Sequence, residues 1–347
     1  MKSQLENELA LARGLINEFI TDDPFPSEIR PEALRKAVRL YPMRGGKRLR
    51  PVLALCALNA AAACEIFHNW TLVHDDIIDC DEVRRGKPTC HMELRKEGAA
   101  RFGLLPGRAE KYGTDFAILT GDVQQAWASD VLLRSTDRGV SAETALAMAR
   151  RMQSFLNREL ISGEALDVEF EYRKVLPPKA EVIDMIRGKT GALLAFSAEC
   201  GAMAGLDTPD WTAKPVAALA EFASELGYAF QLCDDLLGVY GDAATFGKPL
   251  CSDFREGKPT VLYLEALERL TESGRAELAA LMKRPAYTEA DIAKTRSLLE
   301  ECGARAAVVR AAEESSDKAM ANLASLPGTK YRSLLEELAE ELLKRNV

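Results

Sequence analysis

No run of apolar residues in this 347-residue chain is long enough to cross a bilayer: the longest uncharged stretch, 51–64, has 14 residues against the roughly 20 that a spanning helix needs. That stretch predicts a buried core helix instead. The first residues turn acidic from Glu6 on and lack the 7 to 15 residue apolar block, about two to four helical turns, of a secretory signal, so a cytoplasmic location is expected. The eight cysteines, at 56, 64, 80, 90, 200, 233, 251 and 302, form no CxxC pair, which excludes a disulfide frame or a zinc site and predicts reduced thiols used mostly as core filler. Basic excess is missing as well. With 45 Lys+Arg against 53 Asp+Glu the net charge is −8, so no global field recruits nucleic acid or anionic lipid, and any anionic partner must be caught locally. GxGxxG and GxxxxGK[ST] are absent, which argues against dinucleotide and P-loop chemistry. The three histidines all fall between 68 and 91, and no Ser/His/Asp or Cys/His arrangement emerges.

What the chain has is an ordinary globular make-up, 47% hydrophobic and 28% charged, written with helical periodicity. Leu5, Leu9, Leu11, Ile16 and Phe19 predict an amphipathic opening helix; 53–73 is nearly all apolar; 331–343 carries a leucine face. Strand alternation is hard to find, and the reading is all-α. Breaks fall at Pro177-Pro178, at 205–215, at 241–259 and around Pro285, none of them a low-complexity linker, so one domain of roughly ten or more helices over 1–347 is expected. The segment 95–113 mixes Gly, Pro and basic residues and reads as a long surface loop or lid.

Two acidic pairs stand about 160 residues apart in similar apolar helical settings. In HDDIIDCDEVRRGKPT, Asp75 and Asp79 are spaced i, i+4 and share a helix face, with Asp76 about 100° round. None of the helical neighbours three or four residues away is Lys or Arg, so their repulsion is not relieved locally. Two such charges ~6 Å apart cost about 0.7 kcal/mol in water and about 3 kcal/mol at an effective dielectric of 20. Something cationic should fill the gap. Hard oxygen donors without thiolate or imidazole point to magnesium, which usually binds through one or two carboxylates plus substrate phosphates; a solvated acidic turn is the plain alternative. The second pair, Asp234-Asp235 in FQLCDDLLGVYGD, likewise lacks basic helical neighbours. Basic residues gather beside glycines at Lys47, Arg48 and Arg50 (GGKRLRP), at Arg84-Arg85-Gly86, and at Lys189, Lys248 and Lys258. Glycine permits close backbone approach and Arg offers a bidentate phosphate fork, so together with two magnesium-type motifs these imply a diphosphate substrate.

In this order the series GGKRLRP, HDDIIDCDEVRRGKPT, ILTGD (118–122), SGEALD (162–167), GKT (188–190), FQLCDDLLGVYGD and GKPLCSDFREGKPT resembles the trans-isoprenyl diphosphate synthases, or polyprenyl synthetases. The resemblance implies an all-α fold around a central cavity, commonly a homodimer, that joins isopentenyl diphosphate to an allylic diphosphate with about three Mg²⁺ ions. By that resemblance Asp75 and Asp79 ligate two ions and Asp234 a third, while Asp76 and Asp235 act mainly through metal-bound water. Lys47, Arg50, His68 and Arg85 match positions that hold isopentenyl diphosphate; Arg84, Lys189, Lys248 and Lys258 match those that hold the allylic diphosphate; Thr190 and Gln231 match oxygens near the developing carbocation. The departing diphosphate serves as base, which explains why no poised protein base stands out.

Three positions depart from the family pattern: Gly238 where a third aspartate is common, with Asp242 a partial substitute; Glu164 in place of Gln; and Cys251 in place of a frequent Gly. Trp70 lies five residues, or about 7.5 Å of rise, before Asp75, where in the family a bulky residue shortens the product, and Thr71 beside it is small. The absence of an insertion between Asp76 and Asp79 resembles archaeal-type enzymes. A C20 product is expected, with C15 next. A class I terpene cyclase would need a (N/D)DxxSxxxE motif, which DLLGVYGD after Asp234 does not supply; a scaffold subunit would be expected to lose motif residues that this chain keeps.

Overall fold

The computed structural model describes residues 4–44, 53–54, 58–241, 250–282, 284 and 286–344. It is all-α. The helices are α1 (Gln4–Asp22), α2 (Glu32–Leu40), α3 (Leu58–Ile78), α4 (Cys90–Phe102), α5 (Pro106–Leu133), α6 (Ala142–Arg151), α7 (Asn157–Tyr172), α8 (Lys179–Ile186), α9 (Ala192–Leu206), α10 (Lys214–Tyr240), α11 (Ser252–Glu256), α12 (Val261–Arg269), α13 (Glu272–Leu281), α14 (Glu289–Glu301), α15 (Ala304–Ala324) and α16 (Lys330–Lys344). Among the described residues the one strand pairing is a hairpin of β1 (Val83–Arg84) with β2 (Lys87–Pro88). None of these helices is long and apolar enough to cross a membrane.

The chain divides into two compact units, each made of two segments: Met1–Met152 with Phe196–Val216, and Gln153–Ala195 with Ala217–Val347. In the first, α3 packs along α5, and α4 packs against α5 in turn. From Ala60 to Phe67 every residue of α3 is buried, as an all-round apolar helix requires. Its acidic end rests on a small cluster of Ala37, Tyr41, Val73, Cys90, Leu94 and Ala117. In the second unit, Leu232, Leu236 and Val239 of α10 share a core with Val182 and Ile186 of α8, Leu262 of α12 and Val308 of α15.

Two expectations need correction. The buried stripe of α1 runs Leu5, Leu9, Ala12, Ile16 and Ile20, while Leu11 is exposed and Phe19 half-buried; the stripe follows i, i+4, i+7 spacing, from which Leu11 is offset. Segment 95–113 is not a lid but the end of α4, a three-residue turn and the start of α5. Gly103 ends α4 in the left-handed conformation (φ 63°) and Pro106 takes the first position of α5, the usual Gly stop and Pro start. Gly98 is there for packing, since a Cβ on it would lie 2.6 Å from the Tyr112 ring. The described cysteines other than exposed Cys80 and half-buried Cys302 are buried, and all are free thiols, as expected.

Candidate active site

In the first unit the last turn of α3 supplies Asp75 and Asp76, and the chain then leaves the helix. The amide of Asp79 still donates to the Asp75 carbonyl at 2.8 Å, so Asp75 and Asp79 do sit one turn apart. Cys80 then adopts φ 55° and the chain enters the hairpin, whose two turn residues Arg85 and Gly86 both have positive φ (54° and 72°). That is the type I′ geometry matched to the strand twist. The hairpin folds Arg84 back over the aspartates. Its Nη2 donates to Asp75 Oδ2 at 2.9 Å, its Nε donates to Asp76 Oδ1, and Nη2 lies 3.8 Å from Asp81 Oδ2. The second oxygen of Asp76 accepts from the Tyr41 hydroxyl, whose oxygen accepts the Cys90 amide at 3.0 Å.

Asp75 and Asp76 are therefore not uncompensated, contrary to the expectation from helical neighbours. The counter-charge arrives from eight and nine residues downstream because the helix ends and turns. Asp76 is fully buried, and burial pushes its carboxyl up to about 6 while Arg84 and Tyr41 pull it down. Burial also raises the Tyr41 hydroxyl, with Asp76 adding to it. Burial works against the Arg84 charge, but Asp76 and Asp75 more than offset it. Asp76 is an anchor with both oxygens engaged, whereas Asp75 and exposed Asp79 present theirs more openly. Arg85 is exposed at the hairpin tip.

Further up α3, His74 explains the ILTGD piece. Its Nε2 lies 3.1 Å from the Ile118 carbonyl, so this nitrogen carries the proton. A Cβ on Gly121 would overlap the same ring. Trp70 is buried, edge-on to Phe67 at 4.7 Å and to His74 at 5.9 Å, and its indole N–H has no partner among the described residues. Half-buried His68 accepts the Thr71 hydroxyl on its carbonyl at 2.8 Å.

In the second unit, Lys189 and Thr190 lie in a π-turn, Arg187–Gly191, inserted between α8 and α9. Such turns are frequent at functional sites because they re-aim side chains. Lys189 Nζ contacts Asp167 Oδ2 at 2.6 Å and Glu164 Oε2 at 2.9 Å. The Glu164 departure thus supplies a second negative partner where glutamine would give a neutral one. Thr190 donates to Gln231 at 3.3 Å, and Gln231 donates to Asp235 at 3.0 Å. Burial, then Asp253, Asp234 and Asp167, push the Asp235 carboxyl well above its ordinary value, against the Gln231 hydrogen bond.

Two more departures, Gly238 near the end of α10 and Cys251 just before α11, meet through the backbone. Gly238 is buried, and its carbonyl accepts the Cys251 amide at 2.7 Å. Cys251 has φ 59° and caps α11, Gly257 ends it at φ 78°, and the Lys258 amide then returns to the Asp253 carbonyl at 2.9 Å. A left-handed conformation at 251 is the physical reason for glycine at that position. It yields a rank reversal: Cys251→Ala keeps the strain and loses the buried thiol, whereas Cys251→Gly loses the thiol but relieves about 1–2 kcal/mol of strain. Thermal unfolding should therefore find the glycine variant the more stable of the two, the opposite of the usual order.

Of the residues singled out, the structure brings Asp75, Asp76 and Arg84 together in one unit and Lys189, Thr190, Gln231 and Asp235 together in the other. Lys47, Arg50, Lys248 and Asp242 lie outside the described residues. Tyr41 was missed, although it stands four residues before the GGKRLRP motif. No group of three or more His, Cys, Asp or Glu able to hold a metal unaided occurs among the described residues. Asp75 and Asp79, one helical turn apart, are hard oxygen donors of the kind suited to an ion that shares its remaining positions with phosphate and water.

Residues 31–299 match the family model described as "Polyprenyl synthetase". The geranylgeranyl diphosphate synthase of Sulfolobus acidocaldarius is 38% identical over 275 residues, covering 73% of this chain and 74% of that protein. Among solved structures, the geranylgeranyl pyrophosphate synthetase of Pyrococcus horikoshii superimposes with a TM-score of 0.83 at 31% identity, covering 98% of this chain and 99% of its own. That of Corynebacterium glutamicum, complexed with isoprenyl diphosphate and magnesium, gives 0.82 at 28% identity, covering 99% and 100%. A family match over well over half of the chain, together with a relative 38% identical over 73% of it, leaves one conclusion: the chain belongs to the polyprenyl synthetase family and is an enzyme of prenyl transfer.

Proposed function

We propose that this enzyme condenses isopentenyl diphosphate with an allylic diphosphate, head to tail and in trans, to geranylgeranyl diphosphate (C20), with farnesyl diphosphate (C15) the next candidate. The observation that carries it is the pairing of motif cations with motif carboxylates inside each unit: Arg84 with Asp75 and Asp76, Lys189 with Asp167 and Glu164. Such cations match the charge and geometry of a diphosphate that takes the place of a carboxylate.

Asp75, Asp79 and Asp234 would hold about three magnesium ions with Asp235 supporting them through water, while Asp76, expected from the resemblance to do the same, has both oxygens on Arg84 and Tyr41 and would instead hold Arg84 in place. Bound magnesium would neutralise the allylic diphosphate so that it can leave as an anion. Arg84, Lys189, Lys248 and Lys258 would grip that diphosphate, and Lys47, Arg50, His68 and Arg85 the one on isopentenyl diphosphate. The Thr190 and Gln231 oxygens would turn their dipoles toward the positive charge that develops on the allylic carbon. The proton released after attack by the isopentenyl double bond goes to the departed diphosphate, so no side chain needs to act as base. Membership of this family supports a homodimer, and the cytoplasmic location expected from the sequence belongs to the same proposal.

The test is incubation with isopentenyl diphosphate, Mg²⁺ and dimethylallyl, geranyl or farnesyl diphosphate, with products sized by mass spectrometry. C20 should dominate, and no elongation from any primer would end the reading. Trp70 supports the length assignment: it is large, buried and held edge-on by Phe67. Trp70→Ala should add at least one five-carbon unit to the main product, and an unchanged length would remove Trp70 as the ruler.

A further inference from the structure

Lys189 and Thr190 sit on a π-turn, a rare single-turn insertion that interrupts the α-helical register. If the extra residue slips, every side chain in the turn rotates by about 100°. Something must hold the turn, and within the second unit α10 does so at three places. Near its end Thr190 is tied to Gln231. Gly191 packs against Gly227, where an added Cβ would lie 3.3 Å from the Gly191 Cα. At its start Arg187 Nη2 contacts Glu225 Oε1 at 2.7 Å, and the guanidinium lies 5.0 Å over the Tyr228 ring, one turn along from Glu225.

Glu225 is itself fixed from a different helix. The Ser315 hydroxyl of α15 lies 2.5 Å from Glu225 Oε2 and 3.0 Å from the Glu225 carbonyl. Both side chains are buried, Glu225 at 8% exposure and Ser315 at 2%, while Arg187 is about one-third exposed, so water screens their contact only in part. Burial pushes the Glu225 carboxyl up, but Ser315 and Arg187 more than offset this and hold it below its usual value, so it is charged at neutral pH.

We propose that Glu225, braced by Ser315, is a positioning residue for the allylic substrate: by anchoring Arg187 it fixes the π-turn that aims Lys189 and Thr190. Neither residue belongs to a motif, and neither touches substrate in this scheme. The proposal rests on the reading of Lys189 as a ligand of the allylic diphosphate, so the experiment includes a variant for each.

Steady-state kinetics are measured with each substrate varied in turn, beside thermal unfolding, for Glu225→Gln, Ser315→Ala, Arg187→Gln, Arg187→Lys and Lys189→Ala. Glu225→Gln keeps the shape and removes the charge; it should raise KM for the allylic diphosphate about tenfold and lower kcat, with KM for isopentenyl diphosphate within about twofold. Ser315→Ala, the milder change, should move the same constants in the same direction if Glu225→Gln fails to fold. Arg187→Lys should recover part of what Arg187→Gln loses. Kinetics of Glu225→Gln and Ser315→Ala that match the parent while Lys189→Ala is defective would overturn the anchor alone. Equal rises in both KM values, tracking a loss of melting temperature, would reduce it to a structural ion pair and overturn it too. A Lys189→Ala enzyme with parental allylic KM would overturn the reading of Lys189 and the anchor with it.

Discussion

Replacing Asp75 with alanine should cut turnover by about 10³-fold while leaving the protein folded, because the group removed acts on charge that develops during the reaction. The expectation follows from how differently two neighbouring aspartates are held. Asp75 is 20% exposed in its side chain, and Arg84 Nη2 is among its contacts. When it is lost, Arg84 keeps its contact with Asp76. Asp76 is fully buried, with one oxygen on Arg84 and the other on Tyr41. Its removal leaves the buried Tyr41 hydroxyl without its acceptor and takes one of the two close carboxylates from Arg84, which is 25% exposed and keeps Asp75, so Asp76→Ala should cost about 1–3 kcal/mol of stability. Denaturant unfolding and single-turnover assays on the two variants separate these outcomes. Near-parental turnover in Asp75→Ala would mean that this carboxylate holds no ion, and equal stability losses in both variants would mean that their inequality is misread.

The same pair shows where reading the sequence stops. Periodicity finds α3 and places Asp75 and Asp79 on one face, because a helix is a local object with a fixed period. The search for a counter-charge, confined to residues three and four away, assumes the helix continues; it ends at Ile78, and a positive φ at Cys80 and a two-residue turn at Arg85-Gly86 deliver Arg84 from outside that window. Segment 95–113 fails for a related reason. Its glycines and proline read alike as loop punctuation, yet Gly103 and Pro106 bound a short turn while Gly98 lies in mid-helix against a tyrosine ring. Composition cannot tell a glycine that bends the chain from one that makes room. Glu225 is the extreme case: it lies six residues before Gln231 with no motif around it, and its meaning depends on Ser315, 90 residues away. The candidate site residues are legible because their chemistry limits them to a few residue types in order. Their supports are not, because packing can recruit a partner from anywhere in the chain.

Gly163→Ala should be among the costliest single methyl groups that can be added to this protein. An added Cβ would overlap the backbone nitrogen of Lys189 and lie 2.9 Å from both the Gly188 carbonyl carbon and the Met185 carbonyl oxygen. These are backbone atoms, which cannot swing aside as the end of a side chain can. On the facing side, a Cβ on Gly188 would lie 2.6 Å from the Glu159 carbonyl, so α7 and the π-turn touch backbone to backbone through two glycines. The added methyl must push the turn away from α7, which carries both of the carboxylates that hold Lys189. Overpacking of this kind costs about 1–3 kcal/mol, or roughly 1–4 °C in melting temperature for a chain of this length. The kinetic loss should be larger: a displacement near 1 Å at a positioned cation is worth about 10²-fold in kcat/KM for the allylic diphosphate. Gly14→Ala is the internal control, since that glycine lies within α1 with nothing within 4 Å of an added Cβ, and the change should stabilise by about 0.5–1 kcal/mol. Should Gly163→Ala instead match Gly14→Ala in melting temperature and in kcat/KM, the close approach of α7 to the π-turn would not be what holds Lys189 in place.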